Sequence, residues 1–84
     1  MTGSQVEDIL KRLQANKHVQ SVIIFNEEGQ IIKSTMDTSL SEKYSDLVTK
    51  LIEQTTTVIQ DIDDTNSLSF MRIRTKKHEI MVAP

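Results

Sequence analysis

The residue pattern predicts an α+β domain in the order helix, strand, strand, helix, strand, strand, an antiparallel sheet with helices packed on its faces. Three observations predict it. Two stretches repeat apolar residues at helical spacing behind Ser-x-x-Glu openings. Two other stretches are β-branched or alternating, and each is broken in the middle by a turn. The whole chain is 84 residues with two glycines and one proline, and no stretch of it has the composition of a linker, so residues 1–84 read as one domain.

The first helix is expected over 4–16. Ser4 and Glu7 form a capping box, Val6, Ile9, Leu10 and Leu13 make one apolar stripe, and Lys11, Arg12 and Lys17 crowd the end that favours cations. Asn16 is placed to take a left-handed cap. Residues 19–25 read as a strand apolar on both faces, Asn26-Glu27-Glu28-Gly29 as a turn, and 30–36 as the returning strand. A second capping box, Ser39 to Glu42, opens a helix over 40–61, about 33 Å long. Its apolar positions are Leu40, Tyr44, Leu47, Val48, Leu51, Thr55, Val58 and Ile62, with Ile52 and Ile59 beside them. The β-branched run Thr55 to Ile59 is weak as an isolated helix, so packing must hold it. After a polar turn at 61–66, residues 67–75 alternate: Leu68, Phe70, Arg72 and Arg74 on one side, Ser69, Met71, Ile73 and Thr75 on the other. Lys76-Lys77-His78 turns the chain into a last strand at 79–83.

Composition excludes much. Ten Lys+Arg against twelve Asp+Glu give a net charge of −2, the wrong sign for a default nucleic-acid or polybasic membrane binder. No cysteine means no disulfide framework, zinc ribbon or thiol nucleophile. Apolar runs of four residues are far short of the roughly 20 that span a bilayer. Asp61, Asp63 and Asp64 resemble a calcium loop only superficially, because Asn66 and Arg72 stand where such a loop needs Gly and Glu. His18 and His78 lie in connectors and read as exposed loop residues, not metal ligands. The Ser and Thr residues sit in caps, turns and one helical run without a nucleophile elbow, so neither an enzyme nor a cofactor is expected. Arg72, Arg74, Lys76 and Lys77 around Phe70 could form a nucleic-acid platform, but three aromatics in the chain are few for base stacking. The four methionines read as the initiator, Met1, plus core filler at 36, 71 and 81.

Two segments carry a family resemblance. Leu10-Lys11-Arg12-Leu13, Val19-Gln20 into Val22-Ile23-Ile24, the 26–29 turn and Ile32-Lys33-Ser34-Thr35-Met36-Asp37 resemble roadblock-type dynein light chains, as does the run from Phe70 to Pro84. The resemblance implies a non-catalytic accessory subunit of dynein motor complexes. It implies a dimer with itself or a roadblock paralogue, and binding to the dynein intermediate chain and other dynein subunits. It further implies a place in the cytoplasm and cytoskeleton, or in the cilium and its axoneme, in microtubule-based movement. Relatives elsewhere in the superfamily act as scaffolds or regulators of small GTPases, which is the rival function; a small nucleic-acid-binding αβ module is the more distant one. His18 departs from the family's more frequent Gly. Family members also continue into another apolar strand, so a strand is expected either past Pro84 in the natural polypeptide or supplied in trans.

The residues themselves point to an interaction module. Leu47, Leu51, Thr55 and Val58 are expected to cover the sheet, leaving Val48, Ile52 and Ile59 for a second surface. A helix pair of this kind and an edge pairing of strand 67–75, with Leu68, Phe70, Arg72 and Arg74 at the seam, make up the expected dimer and partner interface.

Overall fold

A computed structural model describes residues 2–84; Met1 lies outside them. The element order is the expected one: α1 (Gly3–Ala15), β1 (Ile23–Phe25), β2 (Ile31–Ser34), α2 (Thr38–Ile62), β3 (Met71–Arg74) and β4 (Glu79–Val82). All strand pairing is antiparallel. It forms two two-stranded sheets, β1-β2 and β3-β4, where one sheet had been expected. The chain resolves into two compact units, Met1–Thr49 and Lys50–Pro84.

In the first unit α1 starts earlier than the Ser4 box predicts. Thr2 is the cap: its Oγ1 accepts from the Gln5 amide at 3.2 Å while Gln5 Oε1 accepts from the Thr2 amide at 2.8 Å. Asn16 is extended at φ −76, not left-handed, and its carboxamide oxygen accepts from the His18 amide at 2.9 Å. Val6 and Leu10 are buried, whereas Ile9 and Leu13 stay 37% and 43% exposed. The first strand is shorter than 19–25. At Val22 the ladder is interrupted, because the Val22 amide donates to Thr35 Oγ1 at 2.9 Å, a side chain standing in for backbone. Upstream, the Val19 amide is tied to the Asn16 carbonyl at 3.0 Å. Within the hairpin Ile23 faces Ser34, Ile24 faces Lys33 and Phe25 faces Ile31, with a bulge between Ile24 and Phe25. The turn is the predicted one: Asn26 Oδ1 accepts from the Glu28 and Gln30 amides at 3.0 Å each, and Gly29 has φ +83.

The opening of α2 also differs. Asp37, not Ser39, caps it, its Oδ1 accepting from the Leu40 amide at 2.7 Å. Ser41 is buried at 1% exposure, with Ser45 at 3%. Ser41 Oγ lies 2.6 Å from Ser34 Oγ of β2. Ser45 Oγ donates to the Glu42 carbonyl at 3.1 Å and Thr49 Oγ1 to the Ser45 carbonyl at 2.6 Å. A methyl group on Gly29 would lie 3.1 Å from Thr49 Oγ1. The helix thus approaches the hairpin through Ser41, Ser45 and Thr49, one small residue per turn. Across the same hairpin Lys33 Nζ pairs with Glu7 Oε1 of α1 at 2.9 Å. That hydrogen bond, the Lys33 charge and, less strongly, the Lys11 charge hold the Glu7 carboxyl below its ordinary value.

In the second unit the rest of α2, including the β-branched run, is helical through Ile62. Asp63 closes it, taking the Thr65 amide at 3.0 Å and the Thr65 hydroxyl at 2.7 Å on Oδ1. These bonds lower the Asp63 pKa and give it the turn-forming role the polar 61–66 stretch suggested. β3 and β4 pair in an unbroken register from Met71–Val82 to Arg74–Glu79. Met71 and Ile73 are half-buried and Arg72 and Arg74 exposed, the alternation read from the sequence. Thr75 Oγ1 donates to the His78 carbonyl at 2.8 Å and accepts from the Lys77 and His78 amides at 3.2 and 3.1 Å, closing the turn. Met81 is 51% exposed and so is not core filler; Met36 and Met71 are half-buried.

Two outcomes follow. Gly29→Ala combines a left-handed φ with the close Thr49 hydroxyl and should destabilise the chain by about 1–3 kcal/mol in urea unfolding, whereas Gly3→Ala, with open space around it, should not. Because the Glu7 pKa is lowered on folding, its contribution is present above the unfolded carboxylate pKa and is lost as pH falls through the folded one. In Lys33→Met, NMR titration should show the Glu7 pKa back near its ordinary value and this acid-side loss gone.

Candidate partner interface

The expected site residues divide by exposure. On α2 in the first unit, Leu47 is 55% exposed and Val48 half-buried. In the second unit Val58 is 57% exposed, while Leu51, Ile52, Thr55 and Ile59 are half-buried. This corrects the expected assignment, in which Leu47 and Val58 lay inward and Val48, Ile52 and Ile59 outward. The reason is rotational. In the first unit, at about 100° per residue, Val48 falls within about 20° of Ser41, the direction α2 turns toward the β1-β2 hairpin. Leu47 lies about a third of a turn away from Ser41, and in the second unit Val58 lies about 100° from Ile59. Leu40 and Ile62, 40% and 82% exposed, were on the apolar stripe but were not expected at the interface.

On the β3-β4 hairpin Phe70 is 52% exposed, just before the strand, and Leu68 is half-buried. Arg72 and Arg74 do not project as free charges. Arg72 Nε lies 3.3 Å from Glu79 Oε1 and Arg74 Nε 3.3 Å from Glu79 Oε2, so one carboxylate holds two guanidinium groups, one on each oxygen. The glutamate side chain is 25% exposed, the arginines 60% and 82%. Each guanidinium keeps N–H donors that the carboxylate does not use, while the net charge offered to a polyanion is reduced. His18 and His78 are exposed, as their connector positions suggested. Among the described residues, no three His, Cys, Asp or Glu side chains are grouped to hold a metal ion. No helix of the described chain is long and apolar enough to cross a membrane.

Chemically, then, these surfaces offer bulky aliphatic side chains on α2 and a hydrogen-bonding strand face on β3-β4 whose two guanidinium charges are partly neutralised by one carboxylate. Both suit a protein partner. Residues 5–84 match the family model of the Roadblock/LC7 domain. The chain belongs to the Roadblock/LC7 family. The match takes in nearly all of the chain and agrees with the resemblance carried by the 10–37 and 70–84 segments. Roadblock/LC7 domains are generally non-enzymatic adaptors that typically form dimers and bind partners. For a Roadblock/LC7 chain, the antiparallel hairpins and flanking helices are the expected architecture.

Proposed function

We propose that this Roadblock/LC7 chain is a non-catalytic accessory light chain of a dynein motor complex. It dimerises with itself or a paralogue and binds an apolar segment of the dynein intermediate chain, helping to assemble the motor and link it to cargo or adaptors on microtubules in the cytoplasm or the axoneme. The observation that carries the reading is the exposure of Leu47 and Val58, with Leu40 and Ile62, on a helix whose other face is already used for packing. Large aliphatic side chains left in water on a regular helix are a binding surface in search of cover. Further proposed contacts are half-buried Val48 in the first unit and, in the second, half-buried Leu51, Ile52, Thr55 and Ile59 on α2 together with Leu68, Phe70, Arg72 and Arg74 of the β3-β4 hairpin.

In sedimentation, Leu47→Glu and Val58→Glu should each turn a dimer into a monomer while circular dichroism keeps the folded spectrum. A carboxylate buried without a partner costs several kcal/mol, against about 8 kcal/mol for an entire micromolar association. Ile52→Glu, closer to the packed side, should lower the melting temperature as well. Both Leu47→Glu and Val58→Glu remaining fully dimeric would remove α2 from the seam.

Calorimetric titration with the intermediate-chain segment should show one event per dimer, or a symmetric pair, with a negative heat-capacity change. Equal affinity for the Leu47→Glu monomer would count against a dimer-held ligand. Capture of a small GTPase in a nucleotide-dependent manner, with no binding to the intermediate chain, would favour the rival scaffold function.

A further inference from the structure

The described methionines are not equivalent. Met36 and Met71 are half-buried, and Met71 Sδ accepts from Thr55 Oγ1 at 3.7 Å. Met81 is 51% exposed. It stands opposite Arg72 in the β3-β4 register, and Arg72 Nη2 donates to its sulfur at 3.9 Å. Through Nε, the same guanidinium reaches Glu79 Oε1 at 3.3 Å. A thioether sulfur is a weak acceptor and gains little from such a donor. A sulfoxide oxygen is polar and strongly accepting.

We propose that Met81 is an oxidation site whose state is read by Arg72: hydrogen peroxide converts the thioether to a sulfoxide, and the new oxygen draws the Arg72 guanidinium away from Glu79. In the step, a sulfur lone pair attacks one peroxide oxygen, the S–O bond forms and the O–O bond breaks. The departing hydroxide takes the remaining peroxide proton and leaves as water. Sulfur gives up two electrons and the peroxide accepts them, so no further reactant is needed. Methionine sulfoxide reductase, with a thiol reductant, would restore the thioether.

The surroundings favour this outcome over simple damage. Met81 lies on the outer face of its hairpin, so added polarity enters water and not a core. Glu79 keeps Arg74 at 3.3 Å when Arg72 moves, so the hairpin retains an ion pair. What changes is the strand surface: a soft apolar sulfur beside a shared guanidinium becomes a polar pair. The inference holds for a monomer and for any assembly that leaves this face accessible, and it does not depend on the proposed dynein role.

The test uses the full chain and hydrogen peroxide. Peptide mapping by mass spectrometry should show Met81 oxidised about tenfold faster than Met36 or Met71, since susceptibility follows exposure. The Nε–Hε NMR signal of Arg72 should shift on oxidation and return after treatment with the reductase, with the backbone spectrum of α2 unchanged. Met81→Leu, of similar volume and on an exposed site, should fold normally and show no Arg72 shift with peroxide. Oxidation of Met36 or Met71 at the same rate as Met81 would overturn the proposal. So would a fully oxidised Met81 that leaves the Arg72 signal in place.

Discussion

A helix can lie against a hairpin turn and its strand only as closely as the side chains between them permit. Here α2 presents Ser41, Ser45 and Thr49 at four-residue intervals, and the hairpin presents Ser34 and a glycine without a Cβ. Close approach places hydroxyl groups where water cannot reach, so each must find a partner inside the protein. They do so economically: two donate to carbonyls of their own helix, and the third shares a proton with Ser34. The rotational setting of α2 follows from this contact. With the small residues turned inward, Leu40 and Leu47 have no place against the hairpin and stand in water. The exposed aliphatic face of this stretch of α2 is thus a by-product of how the helix is seated.

Element order and the 26–29 turn were legible in the sequence because they rest on local signals: apolar period, β-branched runs, and an Asn-to-Gly turn whose hydrogen bonds are all within five residues. Element ends were less so. Thr2 and Asp37 won the caps over Ser4 and Ser39, since Ser, Thr and Asp cap by the same chemistry and several candidates lay within one helical turn. The buried side of α2 was the largest miss. Hydrophobic periodicity assigns the biggest aliphatic residues to the interior, yet the side chain most completely hidden is Ser41. A serine repeat at positions 41 and 45, continued by Thr49, was the available signal, and it indicates close backbone approach rather than an oily face.

The orientation of the candidate interface residues on α2 was not legible in the sequence. Leu47 and Val58 exchange roles with Val48, Ile52 and Ile59 through a rotation of about a quarter turn, which shifts the meaning of every substitution made there. On β3 the inside-outside alternation was correct, because a period of two leaves only one alternative. What no pattern could show was that Arg72 and Arg74 share Glu79. That depends on the hairpin register placing position 79 opposite 74 and two pairs from 72, on the same face.

The threonines of α2 have a consequence for how its surface is perceived by other molecules. Thr57, exposed, donates its hydroxyl to the Glu53 carbonyl at 3.0 Å, and Thr49, about two turns earlier, donates likewise to the Ser45 carbonyl. A hydroxyl already bonded to its own backbone has little left to offer water, and the methyl becomes the reactive half of the side chain in solvation terms. Such a threonine behaves toward its surroundings much as a valine does. Hydropathy scales count Thr49 and Thr57 as polar and therefore understate how greasy this helix is to the touch of a neighbouring protein.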